Sequence, residues 1–359
     1  MSEMNPSSGN KFGPSRLTIE LTNICNLHCS YCLRDEDALY HTAANFFPPE
    51  LLQRIITQAR EVMGITNVVY TGGEPTLHPQ FGRMLEIVAE NGLMVGFVTN
   101  GWHFDRIWPT VLAHRGAIAN IGFSLDGVTR EAHDGWRGEG SFVRVVRAFS
   151  RCYAGGIPFA IKIGIRRDTI SQLEQIALFA ARMGAASLNF GHIMPTSTAV
   201  EDESALSLEE RRQAEQEIAN LSRIFKMSIG IDVGYYNVDP SPPCSALAGV
   251  SCNIDYRGRL SLCCNLSGFR NAVGEGDVAA DLTTEDFGSA FARLSQVATA
   301  QLEARRQRLS LLADQGIAPD LYTASPCLFC LDTLGKLPWH QELKRVGSEG
   351  RSLPILGSF

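Results

Sequence analysis

The chain has 359 residues, of which 45% are hydrophobic and 19% charged, and a net charge of −6. That is the make-up of a globular protein long enough for one large α/β domain plus a smaller one, or for a single barrel. It excludes a general electrostatic attraction to nucleic acid, leaving only a local basic pair, Arg166 and Arg167, and no apolar run approaches the length needed to cross a bilayer.

In chain order, residues 1–15 read as a polar tail with no apolar signal segment. Ten cysteines in such a chain point to a reducing compartment, hence the cytoplasm, and to metal or redox use rather than a disulfide scaffold. Residues 17–21 predict a first strand, and a cysteine-bearing loop follows it directly. Pro49 sits near the start of a helix reaching about residue 63, with Leu51, Leu52, Ile55, Ile56 and Ala59 on one face. A second strand at 67–70 ends in Gly72-Gly73-Glu74-Pro75. A helix over about 80–91 precedes a third strand at 94–98, which ends at Asn100. A fourth strand at 118–124 includes Ser124 and ends at Asp126. A helix at 142–154, a fifth strand at 160–165 followed by Arg166, a helix at 170–183 and a sixth strand at 187–190 complete the alternation. Six such units imply a parallel sheet with right-handed crossovers, curled into a partial or full barrel. Function in these folds collects at the C-terminal strand ends, and every polar or glycine-rich motif just named falls there.

The pattern then changes. Residues 196–228 read as a linker and a charged helix at about 208–225, and 229–340 as a glycine-, proline- and cysteine-bearing second unit with a long helix near 284–314. A loosely packed tail follows at 341–359.

Cys25, Cys29 and Cys32 can hold three irons of a [4Fe–4S] cube and leave the fourth open. Four cysteines are usual where a cluster only passes electrons, so an open iron points to chemistry. The alternatives are a zinc site, with His28 inside the run as a further donor, or a disulfide plus a spare thiol.

Cys25-x3-Cys29-x2-Cys32 after the first strand, with Gly72-Gly73-Glu74-Pro75 after the second, resembles the radical S-adenosylmethionine (radical SAM) superfamily over about residues 15–335. The resemblance implies an α/β fold, a partial (β/α)6 TIM-like barrel on 16–195 followed by a small α+β unit. It implies that the open iron binds S-adenosylmethionine, whose reductive cleavage gives a 5′-deoxyadenosyl radical that takes a hydrogen atom from substrate. It places Tyr31 beside the adenine, Gly72 and Gly73 against the methionyl group, and Glu74 on its ammonium. Ser124, Asp126 and Asn100 become ribose or carboxylate contacts, and Arg166 a partner of the carboxylate. A loop aromatic packed on the barrel and a solvated arginine are the plainer readings of Tyr31 and Arg166.

Cys244, Gly258 and Cys263, with Cys327-x2-Cys330 downstream, resemble the SPASM/twitch extension of the same superfamily. The chain lacks the closely spaced cysteines of a full seven-cysteine SPASM unit, which implies one auxiliary [4Fe–4S] cluster on Cys244, Cys263, Cys327 and Cys330. A hairpin turn near 256–259 brings the earlier pair together, and a four-cysteine zinc site is the alternative. Cys252, the stronger rival, or Cys264 could replace one ligand, and Cys252 could instead return a hydrogen atom to a substrate radical. Cys152 reads as a buried apolar side chain. His192 and Met194 are placed to line the pocket, though a histidine there is more often structural.

The expected function is modification of a peptide by oxidative cross-link, thioether formation or epimerisation. The alternatives are a small-molecule tailoring enzyme (a sugar or aminocyclitol dehydrogenase or epimerase) and a non-catalytic iron–sulfur or zinc scaffold. A reductase such as flavodoxin or ferredoxin is an expected partner. With the first cluster motif at residue 25, so is a separate leader-peptide-binding protein.

Overall fold

The computed structural model describes residues 15–196, 205–337 and 340. Residues 1–14, 197–204, 338–339 and 341–359, and with them the expected tails, lie outside the described residues.

Six strands stand where the alternation predicts them: β1 (Arg16–Glu20), β2 (Asn67–Thr71), β3 (Met94–Thr99), β4 (Ile118–Leu125), β5 (Phe159–Ile165) and β6 (Ser187–His192). Each pairs in parallel with the next. The crossovers carry α1 (Pro49–Met63), α2 (Phe81–Glu90), α3 (Phe104–Ala113), α4 (Arg130–Arg137), α5 (Ser141–Gly155) and α6 (Leu173–Arg182). Proline in the first turn starts α1, where its missing N–H costs nothing, and Gly64 in the left-handed conformation ends it. The five apolar residues expected on one face of α1 are its buried residues.

Two helices were hidden in the sequence. Pro109 inside α3 reads as a stop, and α4 is so polar that His133 is its one buried residue. A seventh parallel strand, β7 (Ser228–Val233), adds to β6, and its polar ends and Gly230 mask it.

Side chains on the helix-facing side of the sheet make the core. Ile19, Tyr70, Phe97, Phe123, Ile163 and Phe190 are buried there, and Phe123 meets Phe104, Phe149 and Phe159 edge-on. Burial of each such side chain contributes about 1.5–3 kcal/mol. The opposite face carries Gly96, Gly122, Ser124, Lys162 and Asn189, small or polar groups that leave room in the barrel's interior.

The C-terminal segment joins the same sheet. β8 (Ser251–Ile254) pairs in parallel with β1, and β9 (Arg259–Ser261) and β10 (Val278–Asp281) follow antiparallel. The order is β10-β9-β8-β1-β2-β3-β4-β5-β6-β7. The expected hairpin turn is present. Gly258 takes a positive φ of 89°, and the Asp255 carboxylate accepts from the N–H groups of Arg257 and Arg259, both at 2.9 Å. Around it lie α7 (Leu208–Ile224), opened by a Ser207/Glu210 capping box, α8 (Phe287–Asp314), α9 (Leu321–Ala324) and α10 (Pro326–Thr333). No helix among the described residues is long and apolar enough to cross a membrane.

Candidate active site

A cavity of about 370 Å³ opens at the C-terminal ends of the barrel strands. Of the residues expected to contact a cofactor, Cys25, Cys29, Cys32, Tyr31, Gly72, Gly73, Glu74, Asn100 and Ser124 line it, as do His192 and Met194.

The cysteine loop is held from several sides. The Asn23 amide donates to the carbonyls of Ala38 (2.7 Å) and Ala43 (3.2 Å) and accepts from the N–H of Asn45 (2.7 Å). His28 stacks on Tyr40 at 3.7 Å, and the Tyr40 hydroxyl donates to the Leu27 carbonyl. His28 is therefore occupied in packing the loop.

Gly72 and Gly73 act differently from expectation. A Cβ on Gly73 would lie 2.0 Å from the Ile24 carbonyl oxygen, and one on Gly72 2.5 Å from that of Thr22. The N–H groups of Gly73 and Glu74 donate to Thr22 (2.9 Å) and Ile24 (2.8 Å). The glycines let this loop dock backbone-to-backbone on the cysteine loop.

Glu74 is buried, and its carboxylate already receives four donors. These are the Thr76 N–H and hydroxyl, the Thr99 hydroxyl and the Asn100 N–H, at 2.6–3.2 Å. It locks β2's end to β3's end. Burial outweighs these donors and raises its pKa.

Asp126 and Arg166 sit behind the pocket wall rather than on it. The Tyr31 hydroxyl donates to Asp126 Oδ2 at 2.5 Å, Arg137 Nε donates to the same oxygen, and Arg166 Nη1 donates to Oδ1 at 2.7 Å. Burial opposes ionisation of Asp126, but Arg137 and then Arg166 more than offset it and hold the carboxyl at about 2. Arg166 is fully buried, stacks on Trp136 at 4.2 Å and also pairs with Asp168. Beside Arg34 and Lys162, the cation that reaches the cavity at this strand end is instead Arg137. Sequence reading missed it because α4 went unrecognised. It also missed a polar set on the inner face, where Asp232 accepts from Lys162 (2.5 Å) and Asn189 (2.8 Å).

Burial and the Glu74 charge push the Cys25 thiol up to about 12. Thiols so placed become thiolates when a metal cation takes the proton's place, which suits an iron cluster. The auxiliary set shares this state. Cys327 is pushed up to about 12, and burial raises Cys244 and Cys330 as well. Cys263 and Cys264 are hydrogen-bonded neighbours, Cys263 raised and Cys264 lowered. Cys327 accepts a hydrogen bond from Gly234 N–H at 3.4 Å and lies in the first turn of α10, where the helix dipole favours a thiolate. Among the described residues no three donors gather as tightly as a single metal ion requires.

Cys252 corrects an expectation. On β8 its side chain faces the helix layer, its sulfur 4.0 Å from that of Met63. It is 2% exposed and does not line the cavity, so it does not reach a substrate radical there. Its neighbour Asn253 takes the inner face instead, donating to Glu20. Cys264 does line the cavity.

Strand-end cysteines, a docked Gly-Gly-Glu-Pro loop and an open parallel barrel define a radical-type S-adenosylmethionine domain. Residues 19–180 match the Radical SAM superfamily; the superfamily implies a [4Fe–4S] cluster and S-adenosylmethionine. The mycofactocin maturase MftC of Mycobacterium ulcerans is 36% identical over 178 residues, 48% of this chain and 46% of the relative. The PqqA peptide cyclase of Gluconobacter oxydans is 26% identical over 257 residues, 70% of each chain. The chain thus spans about half the length of the MftC relatives it matches. Among solved structures, Streptococcus suis SuiB bound to S-adenosylmethionine superposes with a TM-score of 0.64 at 14% identity, covering 80% of this chain and 68% of that one, which shows the shared barrel fold.

Proposed function

We propose that this protein is a radical SAM enzyme that modifies a peptide. The observation that carries the reading is the placing of Cys25, Cys29 and Cys32 on one cavity wall, with the Gly72–Gly73 backbone docked behind them. The matches to peptide maturases support the substrate class.

Cys25, Cys29 and Cys32 would hold the [4Fe–4S] cluster, and Cys244, Cys263, Cys327 and Cys330 one auxiliary cluster. When bound, S-adenosylmethionine and its cluster supply a carbon-centred radical able to remove a substrate hydrogen atom. The chain's own work is orientation. Tyr31, held by Asp126 and Arg137, offers a ring fixed at both ends, and Arg137 and Asn100 offer donors at the wall. Lys162, Asn189 and Asp232 face the space left for substrate. The expected boundary near residue 195 separates barrel from linker in this reading, and that at 229 moves to the end of β7, which continues the barrel sheet to Val233. Flavodoxin or ferredoxin would supply the electron, a separate protein would present the peptide leader, and ten free cysteines suit a reducing cytoplasm.

The test is anaerobic reconstitution, reduction with dithionite and chromatography for 5′-deoxyadenosine. Wild type is expected to form it, and the Cys25→Ala/Cys29→Ala/Cys32→Ala variant to form none. Formation by the variant refutes the site, and none by wild type favours a non-catalytic scaffold. Turnover with a precursor peptide in heavy water then separates oxidation, a loss of about two mass units, from hydrogen return, a gain of about one.

A further inference from the structure

Most buried cations in this protein face a carboxylate, as Arg166 faces Asp126. Arg305, on α8, does not. It is 1% exposed, and among the described residues it makes no ion pair with an acid. Its Nη groups donate to the carbonyls of Asn237 and Asp239, and its Nε has no hydrogen-bond partner. A buried guanidinium without counter-charge is strongly unfavourable, so the surroundings must supply an anion. The acidic groups within its field are Cys330, Tyr235, Cys244 and Cys327. As neutral thiols they give it no counter-charge. As thiolates around an iron–sulfur core they carry net negative charge.

A second guanidinium stands near the same set. Arg211 of α7 is 2% exposed, donates only to the carbonyls of Leu206, Gly234 and Ile193, and feels Cys327 as well as Tyr322 and Glu215. Glu215 is a carboxylate in the field of Arg211, whereas the leading acids in that of Arg305 are three thiols and a phenol.

We infer that Arg305 is the counter-charge of the auxiliary cluster, a positioning residue that makes this centre easier to reduce. The inference rests on the reading of Cys244, Cys263, Cys327 and Cys330 as ligands. Adding one electron makes the centre more negative, so a fixed neighbouring cation favours the reduced state, and net charge is among the quantities that set cluster potentials.

The test uses the full chain carrying Cys25→Ala, Cys29→Ala and Cys32→Ala, so that the iron remaining is auxiliary. It combines iron analysis with a dithionite redox titration followed by electron paramagnetic resonance. Arg305→Gln is expected to shift the one-electron equilibrium toward the oxidised form by about tenfold, a midpoint lower by about 59 mV. Arg305→Lys keeps the charge and is expected to retain most of the parent midpoint. An unmoved midpoint in Arg305→Gln with iron intact overturns the role of Arg305 alone. Loss of iron in both Arg305 variants makes the residue a structural tie and also overturns it. Absence of iron in the parent variant instead overturns the ligand assignment beneath it.

Discussion

Gly73→Ala tests what the glycine-rich loop is for. The added Cβ would start 2.0 Å from the Ile24 carbonyl oxygen and 2.9 Å from that of Asn23, both of them backbone. Reaching ordinary contact means moving one loop off the other by over an ångström. That shift stretches the hydrogen bonds from Gly73 N–H to Thr22 and from Glu74 N–H to Ile24. Overpacking costs about 1–3 kcal/mol and each weakened bond about 0.5–1.5 kcal/mol, so a loss of roughly 3 kcal/mol is expected. With an unfolding entropy of about 2.1 cal/mol/K per residue over this chain, that lowers Tm by about 4 °C. Gly64→Ala is the control. Its φ is positive, at 60°, but nothing lies within 4 Å, so only the strain of about 1 kcal/mol arises. The assay is thermal unfolding of the metal-free protein, followed by iron content after reconstitution. Metal-free Gly73→Ala as stable as wild type would refute the docking argument and return the glycine to the expected role of making room for a bound group.

Asp126→Asn leaves Arg137 and Arg166 buried without their shared anion, and a loss of about 3–5 kcal/mol is expected in urea unfolding. His133 is held neutral, its Nδ1 accepting from the Asp126 N–H, and burial lowers its pKa to about 4 from an ordinary 6.5. The unfolded chain therefore takes up this proton first. Its contribution is complete above about pH 6.5 and is lost as pH falls through 4, by up to roughly 3 kcal/mol. Asp126 adds a second loss as pH falls from 3.8 toward 2. The loss of stability between pH 6.5 and 4 should be smaller in His133→Gln, with the remainder carried by His78, His103 and His192, whose pKa values burial also lowers. Cys252→Ala is expected to change neither iron content nor deuterium incorporation and to cost about 1 kcal/mol. In the metal-free protein iodoacetamide should label Cys264, which lines the cavity, well before Cys252, and peptide mapping reads the order.

The barrel was legible because each strand is a short apolar run that ends in a polar or glycine-rich motif, and because α1 shows its buried face outright. α3 and α4 were not, since Pro109 reads as a stop although Phe104, Ile107 and Val111 around it are buried, and α4 is mostly polar. At the site, cysteine spacing located the cavity wall. Asp126 and Arg166 sat at the expected strand ends, yet only the fold shows that they neutralise one another behind that wall. Strand alternation also decided between two thiols. Cys252 falls on the outward register of β8, which its four-residue, fully buried sequence does not reveal.

The pairing of β8 with β1 bears on how the chain is made. β1 leaves the ribosome well before β8, so one of its two edges waits for Cys252 and its neighbours to be synthesised. Until then the barrel presents an unpaired central strand edge while six further strands, β2 to β7, are already available. Such long-range closure is slow and exposed to mispairing, so folding as a unit awaits residues beyond 251. A truncated product that ends before β8 is expected to expose β1 and to be degraded or to aggregate, even though it carries all three thiols of the first site.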